Sequence, residues 1–217
     1  MMPKRPTKRK KGNYMATDTY YNTPAQTIRD ILYGADLIND HLCNVLEPSA
    51  GRGAIVRQLL HRDDFNFIIT AVERDPSLFP SSLSENPRVR YYNQCFLNNT
   101  VEYGFDLVIT NPPYDQFFEF LKKAVSLLNF QGKVVFLLRL SLLTGVRRSE
   151  QLLEHRPTDI YCLSRRPYFG WKQTDSCPYG WCIWEKNPPL LPTRFHWLDA
   201  CGLRKTGPKK KRSDEND

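Results

Sequence analysis

The sequence predicts an α/β protein built on a mostly parallel sheet with helices on both faces. Two observations carry that prediction. Runs such as FDLVIT and KVVFLLRL are continuously apolar and rich in β-branched or aromatic residues, the pattern of strands buried from both sides. These runs alternate with segments of helical period, as successive parallel crossovers require. At 217 residues the chain is sized for one domain with its own core.

The elements follow in order. Thr23, Pro24 and Gln26 read as an N-cap, a first-turn proline and a capping-box partner, opening a helix over Ala25 to Leu37 with Ile28, Ile31, Leu32 and Leu37 on one face. Leu42 to Leu46 is the first strand, closed by the turn EPSAGRG, and a helix runs from Ala54 to Leu60. Strands are predicted at Phe67 to Val72, Val89 to Tyr92 and Phe105 to Thr110, then a helix at Gln116 to Leu128 and a strand at Lys133 to Leu140. A helix near Arg147 to His155, a strand at Asp159 to Leu163 and a last strand at Gly180 to Glu185 complete a seven-stranded sheet. No internal repeat is present.

The net charge of +8 is unevenly spread. Residues 1–12 hold six basic and no acidic residues, and residues 204–217 hold six basic and three acidic. Between them, residues 13–121 carry 7 Lys/Arg against 14 Asp/Glu, whereas residues 122–175 carry 10 against 4. One half of the domain therefore offers a basic surface of the kind a polyanion recognises. The organisation read from these patterns is a basic tail at 1–18, a domain at 19–203 and a charged tail at 204–217, both tails being too polar to order themselves. The PKKKR run resembles a nuclear localisation signal and equally suits a nucleic-acid tether.

No apolar run is long enough for a membrane span, and no apolar segment follows MMPKRPTKRKK as a secretory signal needs, so a soluble, intracellular, cytoplasmic protein is expected. Six dispersed cysteines without a CxxC pair or a His at zinc spacing predict reduced thiols and no metal site. His41, His61, His155 and His196 have no catalytic partner at recognisable spacing, and the four tryptophans read as packing, with Trp171 open because its loop is polar.

Chemistry concentrates at three strand ends. In LEPSAGRGA, Glu47 closes a strand and Gly51 and Gly53 shape a turn whose backbone can approach a ligand closely. GxGxxG is absent, and a carboxylate there suits a cationic ligand better than a pyrophosphate. In AVERDP, Glu73 ends the next strand, where an acid can accept hydrogen bonds from ribose hydroxyls. Strand, acid, glycine turn, helix, strand, acid is an arrangement that binds S-adenosyl-L-methionine. In FDLVITNPPYDQF a buried strand delivers Asn111, Pro112, Pro113 and Tyr114 to its C-terminal end. The prolines fix the backbone and remove donors, leaving the Asn111 amide oxygen and the Pro112 carbonyl as acceptors for an NH2 group, and Tyr114 offers a ring for stacking.

With these motifs the chain resembles the S-adenosylmethionine-dependent DNA adenine-N6 methyltransferases, especially the small phage and bacterial forms. YYNTP at Tyr20 to Pro24 is similar to their N-terminal cofactor motif, LEPSAGRG to their first motif, AVERDP to their second and NPPY to their catalytic motif, in the family's order and over residues 19–185. The resemblance implies the class I methyltransferase Rossmann-like fold, S-adenosyl-L-methionine as cofactor and double-stranded DNA as partner. It implies Asn111, Pro112, Pro113 and Tyr114 at the flipped adenine, and Tyr21, Thr23, Glu47, Pro48, Ser49, Gly51, Gly53 and Glu73 around the cofactor. Where the family's third motif offers Asp followed by Phe, this chain has Cys95 and Phe96, and a thiol cannot accept as a carboxylate does.

Target recognition is expected in residues 141–178. This stretch interleaves Arg147, Arg148, Arg165, Arg166 and Lys172 with Tyr168, Phe169 and Trp171, and Tyr168 or Phe169 is expected to help hold the flipped base. The alternatives are an RNA adenine or guanine methyltransferase, a glutamine methyltransferase acting on release factors, and a catalytically silent nucleic-acid-binding relative. The YYNTP helix and the EPSAG wording favour DNA.

Overall fold

The computed structural model describes residues 22–35, 37, 42–62, 64–98, 101–145, 149–169, 176–188 and 190–198. Both tails, Tyr21, His41, Arg147, Arg148, Trp171 and Lys172 lie outside these.

The expected seven strands form, and an eighth joins them: β1 (Leu42–Glu47), β2 (Asn66–Glu73), β3 (Val89–Asn93), β4 (Phe105–Thr110), β5 (Leu128–Arg139), β6 (Asp159–Leu163), β7 (Tyr179–Glu185) and β8 (Arg194–Leu198). They make one sheet in the order β3-β2-β1-β4-β5-β7-β6-β8. Only β7 runs antiparallel to its neighbours. The chain builds outward from β1 through β2 and β3, then returns to β1's other side with β4, so the order reverses between β1 and β4. A crevice opens at such a reversal, at the C-terminal ends of the strands.

The helices are α1 (Ala25–Gly34), α2 (Ala54–Leu60), the single turn α3 (Ser81–Ser84), α4 (Phe117–Leu127) and α5 (Ser149–Glu154). The double-sided burial inferred from the strand sequences is met by two cores. On one face α1 and α2 set Ile28, Ile31, Val56 and Leu59 against Val45, Ile69, Ile109 and Val135. On the other, α4 sets Phe117, Phe120, Leu121 and Ala124 against Leu46, Val108, Val134 and Phe136. Successive strand residues thus enter opposite cores, which is why the runs are mostly apolar.

Two local expectations change. The helix predicted over Ala25 to Leu37 stops at Gly34, although Leu37 still reaches the core. The capping box does not form: Pro24 is the N-cap without a side-chain cap, Gln26 bonds Asp30 and Arg29, and the Thr23 hydroxyl faces Asn111 instead. The tryptophans divide as well. Trp181 and Trp184 are buried and donate to the Thr27 and His155 carbonyls, whereas Trp197 on β8 is 71% exposed. No helix among the described residues is long and apolar enough to cross a membrane, and no His/Cys/Asp/Glu group among them could hold a metal ion.

Candidate active site

Register brings the three chemistry-bearing strand ends together. β1 pairs with β4 through Leu46 and Val108, and with β2 through Glu47 and Ala71, so Glu47, Glu73 and Thr110 all end at one edge. Glu47 is only 2% exposed. Its Oε1 accepts a 2.6 Å hydrogen bond from the Thr110 hydroxyl, while its Oε2 is buried without a partner. Burial raises the Glu47 carboxyl well above the ordinary carboxylate range; the charge of Glu73 adds to the rise and the Thr110 hydroxyl opposes it.

The turn after β1 is held from β2. Ala50 N–H donates to the Val72 carbonyl at 2.9 Å, and Gly51 N–H donates to Glu73 Oε2 at 2.7 Å. The other Glu73 oxygen accepts from Asp75 N–H at 2.8 Å. Glu73 therefore ties the glycine turn to the end of β2 and keeps lone pairs free for a ligand. Gly53 has φ 73°, a conformation that favours glycine, and a Cβ there would push aside Leu83 Cδ1, 2.2 Å away. Thr23, Ser49, Ala50, Ala54, Ile55 and Asn111 complete the lining of a pocket that contains Glu47 and Gly51. Pro48 is buried.

Beyond β4, Asn111 meets that pocket directly. Its Nδ2 donates to Thr23 Oγ1 at 3.3 Å, which orients the amide so that Oδ1 faces Tyr114, whose hydroxyl donates to it at 2.9 Å. Pro112 is buried and Pro113 exposed. The Tyr114 ring lies with the Arg139 guanidinium 5.4 Å from its centroid and Tyr179 tilted at 6.3 Å. Arg139 Nε donates to the Tyr179 hydroxyl at 3.0 Å, and Phe169 packs on Tyr179 at 5.3 Å. The NPPY turn thus faces an aromatic wall built by β5, β7 and the loop after β6.

Of the expected recognition residues, Phe169 joins this wall as a buried residue, Tyr168 is 58% exposed, and Arg165 and Arg166 are exposed on the same loop. That loop leaves the C-terminal end of β6, which runs parallel to β4, so it shares the edge with Asn111. Phe96 is not at the pocket. It is 2% exposed in the α4-side core, 5.0 Å from Phe120, because α4 needs apolar cover there. Cys95 beside it is half-buried. Thr110 and Arg139 are neighbours of the site that the motifs did not single out; their contacts with Glu47 and Tyr179 come from distant parts of the chain.

No family model and no curated protein matches the chain. Among solved structures it is similar to a Listeria monocytogenes protein described as a class I S-adenosylmethionine-dependent methyltransferase, at TM-score 0.66 and 14% identity, over 83% of this chain and 67% of that one. It is also similar to the 23S rRNA methyltransferase ErmE, at TM-score 0.56 and 19% identity, over 80% and 72% of the two chains. A third is the Burkholderia thailandensis 1,6-didemethyltoxoflavin-N1-methyltransferase with bound S-adenosylhomocysteine, at TM-score 0.55 and 18% identity, over 76% and 79%. The chain has the Rossmann-like fold of the class I S-adenosylmethionine-dependent methyltransferases.

Proposed function

We propose that this protein transfers a methyl group from S-adenosyl-L-methionine to N6 of an adenine flipped out of double-stranded DNA. The observation that carries the reading is that Asn111, at the head of NPPY, lines the same pocket as Glu47, whose second carboxylate oxygen is buried and unpartnered. A buried carboxylate oxygen without a donor is costly. The ammonium of the cofactor's methionine moiety is a cation of the right kind to meet it, and the Glu73 carboxylate suits the ribose, so these residues fit the cofactor. When bound, the cofactor supplies an activated methyl on a sulfonium sulfur.

The chain's own residues supply alignment. Asn111 Oδ1 and the Pro112 carbonyl accept the two N6 hydrogens and turn the nitrogen lone pair outward. Held so, the nitrogen would be aligned to take the methyl that the bound cofactor would supply, and its spare proton would pass to water. No strong base is required. In the free protein the Tyr114 hydroxyl donates to Asn111 Oδ1, so an arriving amino group either uses the oxygen's second lone pair or replaces that hydroxyl. Tyr114 stacking contributes about 1–3 kcal/mol toward the few kcal/mol that base extrusion costs.

Two features favour a nucleic acid over other carriers of NH2 groups: the basic excess of residues 122–175 and the exposed Arg165 and Arg166 beside the site. The likeness to an rRNA methyltransferase makes RNA the second reading. Labelled methyl transfer to duplex DNA, single-stranded DNA and RNA of one sequence decides between them. Transfer is expected on the duplex, and Asn111→Ala is expected to lower it at least about 100-fold with cofactor affinity retained. Undiminished transfer by Asn111→Ala refutes the assignment; transfer confined to RNA selects the second reading.

A further inference from the structure

Between the buried acid and the catalytic turn lie two hydroxyls and three contacts. Thr110 Oγ1 is 2.6 Å from Glu47 Oε1, Ser49 Oγ is 2.7 Å from Thr110 Oγ1, and Ser49 Oγ is 3.2 Å from the Asn111 carbonyl. A hydroxyl carries one proton. With Glu47 ionised, Thr110 spends its proton on the carboxylate, and Ser49 has one proton to share between Thr110 and Asn111. With Glu47 protonated at Oε1 there are three protons for three contacts: Glu47 donates to Thr110, Thr110 to Ser49, and Ser49 to the Asn111 carbonyl.

We propose that Thr110 and Ser49 are positioning residues forming a hydroxyl relay that couples occupancy of the cofactor's amino-group site at Glu47 to the backbone of the catalytic turn at Asn111. The inference rests on the reading that Glu47 meets that amino group. An ammonium at Oε2 holds Glu47 ionised, draws the Ser49 proton to Thr110 and releases the Asn111 carbonyl; an empty, protonated site pins the carbonyl. Thr110 is completely buried, so water does not substitute for the partners of its hydroxyl. The charged group facing Glu47 is Glu73, across the turn on β2; the rest of the pocket lining is uncharged.

The test uses the full chain with S-adenosylhomocysteine, which carries the same amino group and transfers nothing. Calorimetric titrations from mildly acidic to mildly alkaline pH compare wild type with Thr110→Val, Thr110→Ser and Ser49→Ala. Thr110→Val is expected to weaken binding about tenfold or more near neutrality and to move the pH at which affinity fails upward, because a donor to the carboxylate is removed. Thr110→Ser restores both, and Thr110→Ala serves if the valine variant does not fold. Ser49→Ala leaves the Glu47–Thr110 hydrogen bond in place and cuts the link to Asn111; its own S-adenosylhomocysteine affinity is measured at each pH and the coupling is taken relative to it. The factor by which S-adenosylhomocysteine changes affinity for an adenine-containing duplex, about fivefold or more in wild type, then falls toward one. A Thr110→Val curve that overlays wild type, a serine variant no better than valine, or an unchanged coupling factor in Ser49→Ala overturns the relay. Failure of the underlying reading looks different: Glu47→Gln then binds the cofactor as tightly as wild type at every pH.

Discussion

A glycine at φ 73° with a leucine methyl 2.2 Å from where its Cβ would stand makes any other residue at position 53 strained. Gly53→Ala is expected to destabilise the fold by about 2 kcal/mol or more, combining the left-handed penalty with the displacement of Leu83. A thermal melt would fall by several degrees. Gly53→Ala with Leu83→Ala should recover only the steric part. An alanine variant melting with wild type would show that the turn relaxes elsewhere. The same scale explains why Glu47 and Glu73 are legible in the sequence and Thr110 and Arg139 are not. An acid ending an apolar run is conspicuous, because burial of charge demands a ligand. A threonine in FDLVIT reads as an ordinary β-branched strand residue, and an arginine after KVVFLL as the strand's exit to solvent. Their roles come from neighbours 63 and 40 positions away in sequence, Glu47 and Tyr179.

At the scale of elements, legibility follows burial. The strands buried on both faces announce themselves by unbroken apolar runs. β8 does not, because its Phe195 and Trp197 are exposed and Arg194 and His196 bond sideways rather than inward. What fixes β8 against β6 is polar. Asp159 accepts from Arg194 Nε and Nη2 at 2.7 and 2.8 Å, and His196 Nε2 lies 2.8 Å from the same carboxylate, with the His196 ring stacked on Tyr161. Burial by itself would raise the Asp159 carboxyl, but the Arg194 and His196 hydrogen bonds outweigh it and hold the group below its usual value. A depressed folded-state value means that the carboxylate stabilises the fold above its unfolded-state pKa of about 3.9, and that this contribution is lost as pH falls through the lower folded-state value. Asp159→Asn is therefore expected to be less stable than wild type at pH 7. The gap should narrow only below about pH 4. Denaturant titrations of both proteins at stepped pH measure it, and a gap that stays constant well below that pH would show that charge is not what secures the strand. The α1 cap fails for a related reason: the Thr23 hydroxyl serves a tertiary partner, Asn111, and a local signature carries no information about such a claim.

For the whole molecule, positive charge and the candidate site are divided between regions. The described residues hold the pocket, the NPPY turn and the aromatic wall, while much of the positive charge sits in the terminal segments outside them. Deleting residues 1–12 and 208–217 removes ten basic residues and no site residue. The catalytic rate at saturating DNA is expected to stay nearly unchanged. DNA affinity is expected to fall, and the dependence of log affinity on log salt to flatten, since each phosphate no longer neutralised takes away close to one unit of slope. The removed segments also carry three acidic residues, and a polar, charge-dense chain engages only part of its charge at once, so the slope should drop by a few units rather than ten. Titration of full-length and trimmed protein against one duplex from low to moderate salt reads the difference directly. Equal slopes would remove the tails from the DNA interface and leave the exposed arginines of the β6–β7 loop to account for the electrostatic attraction alone.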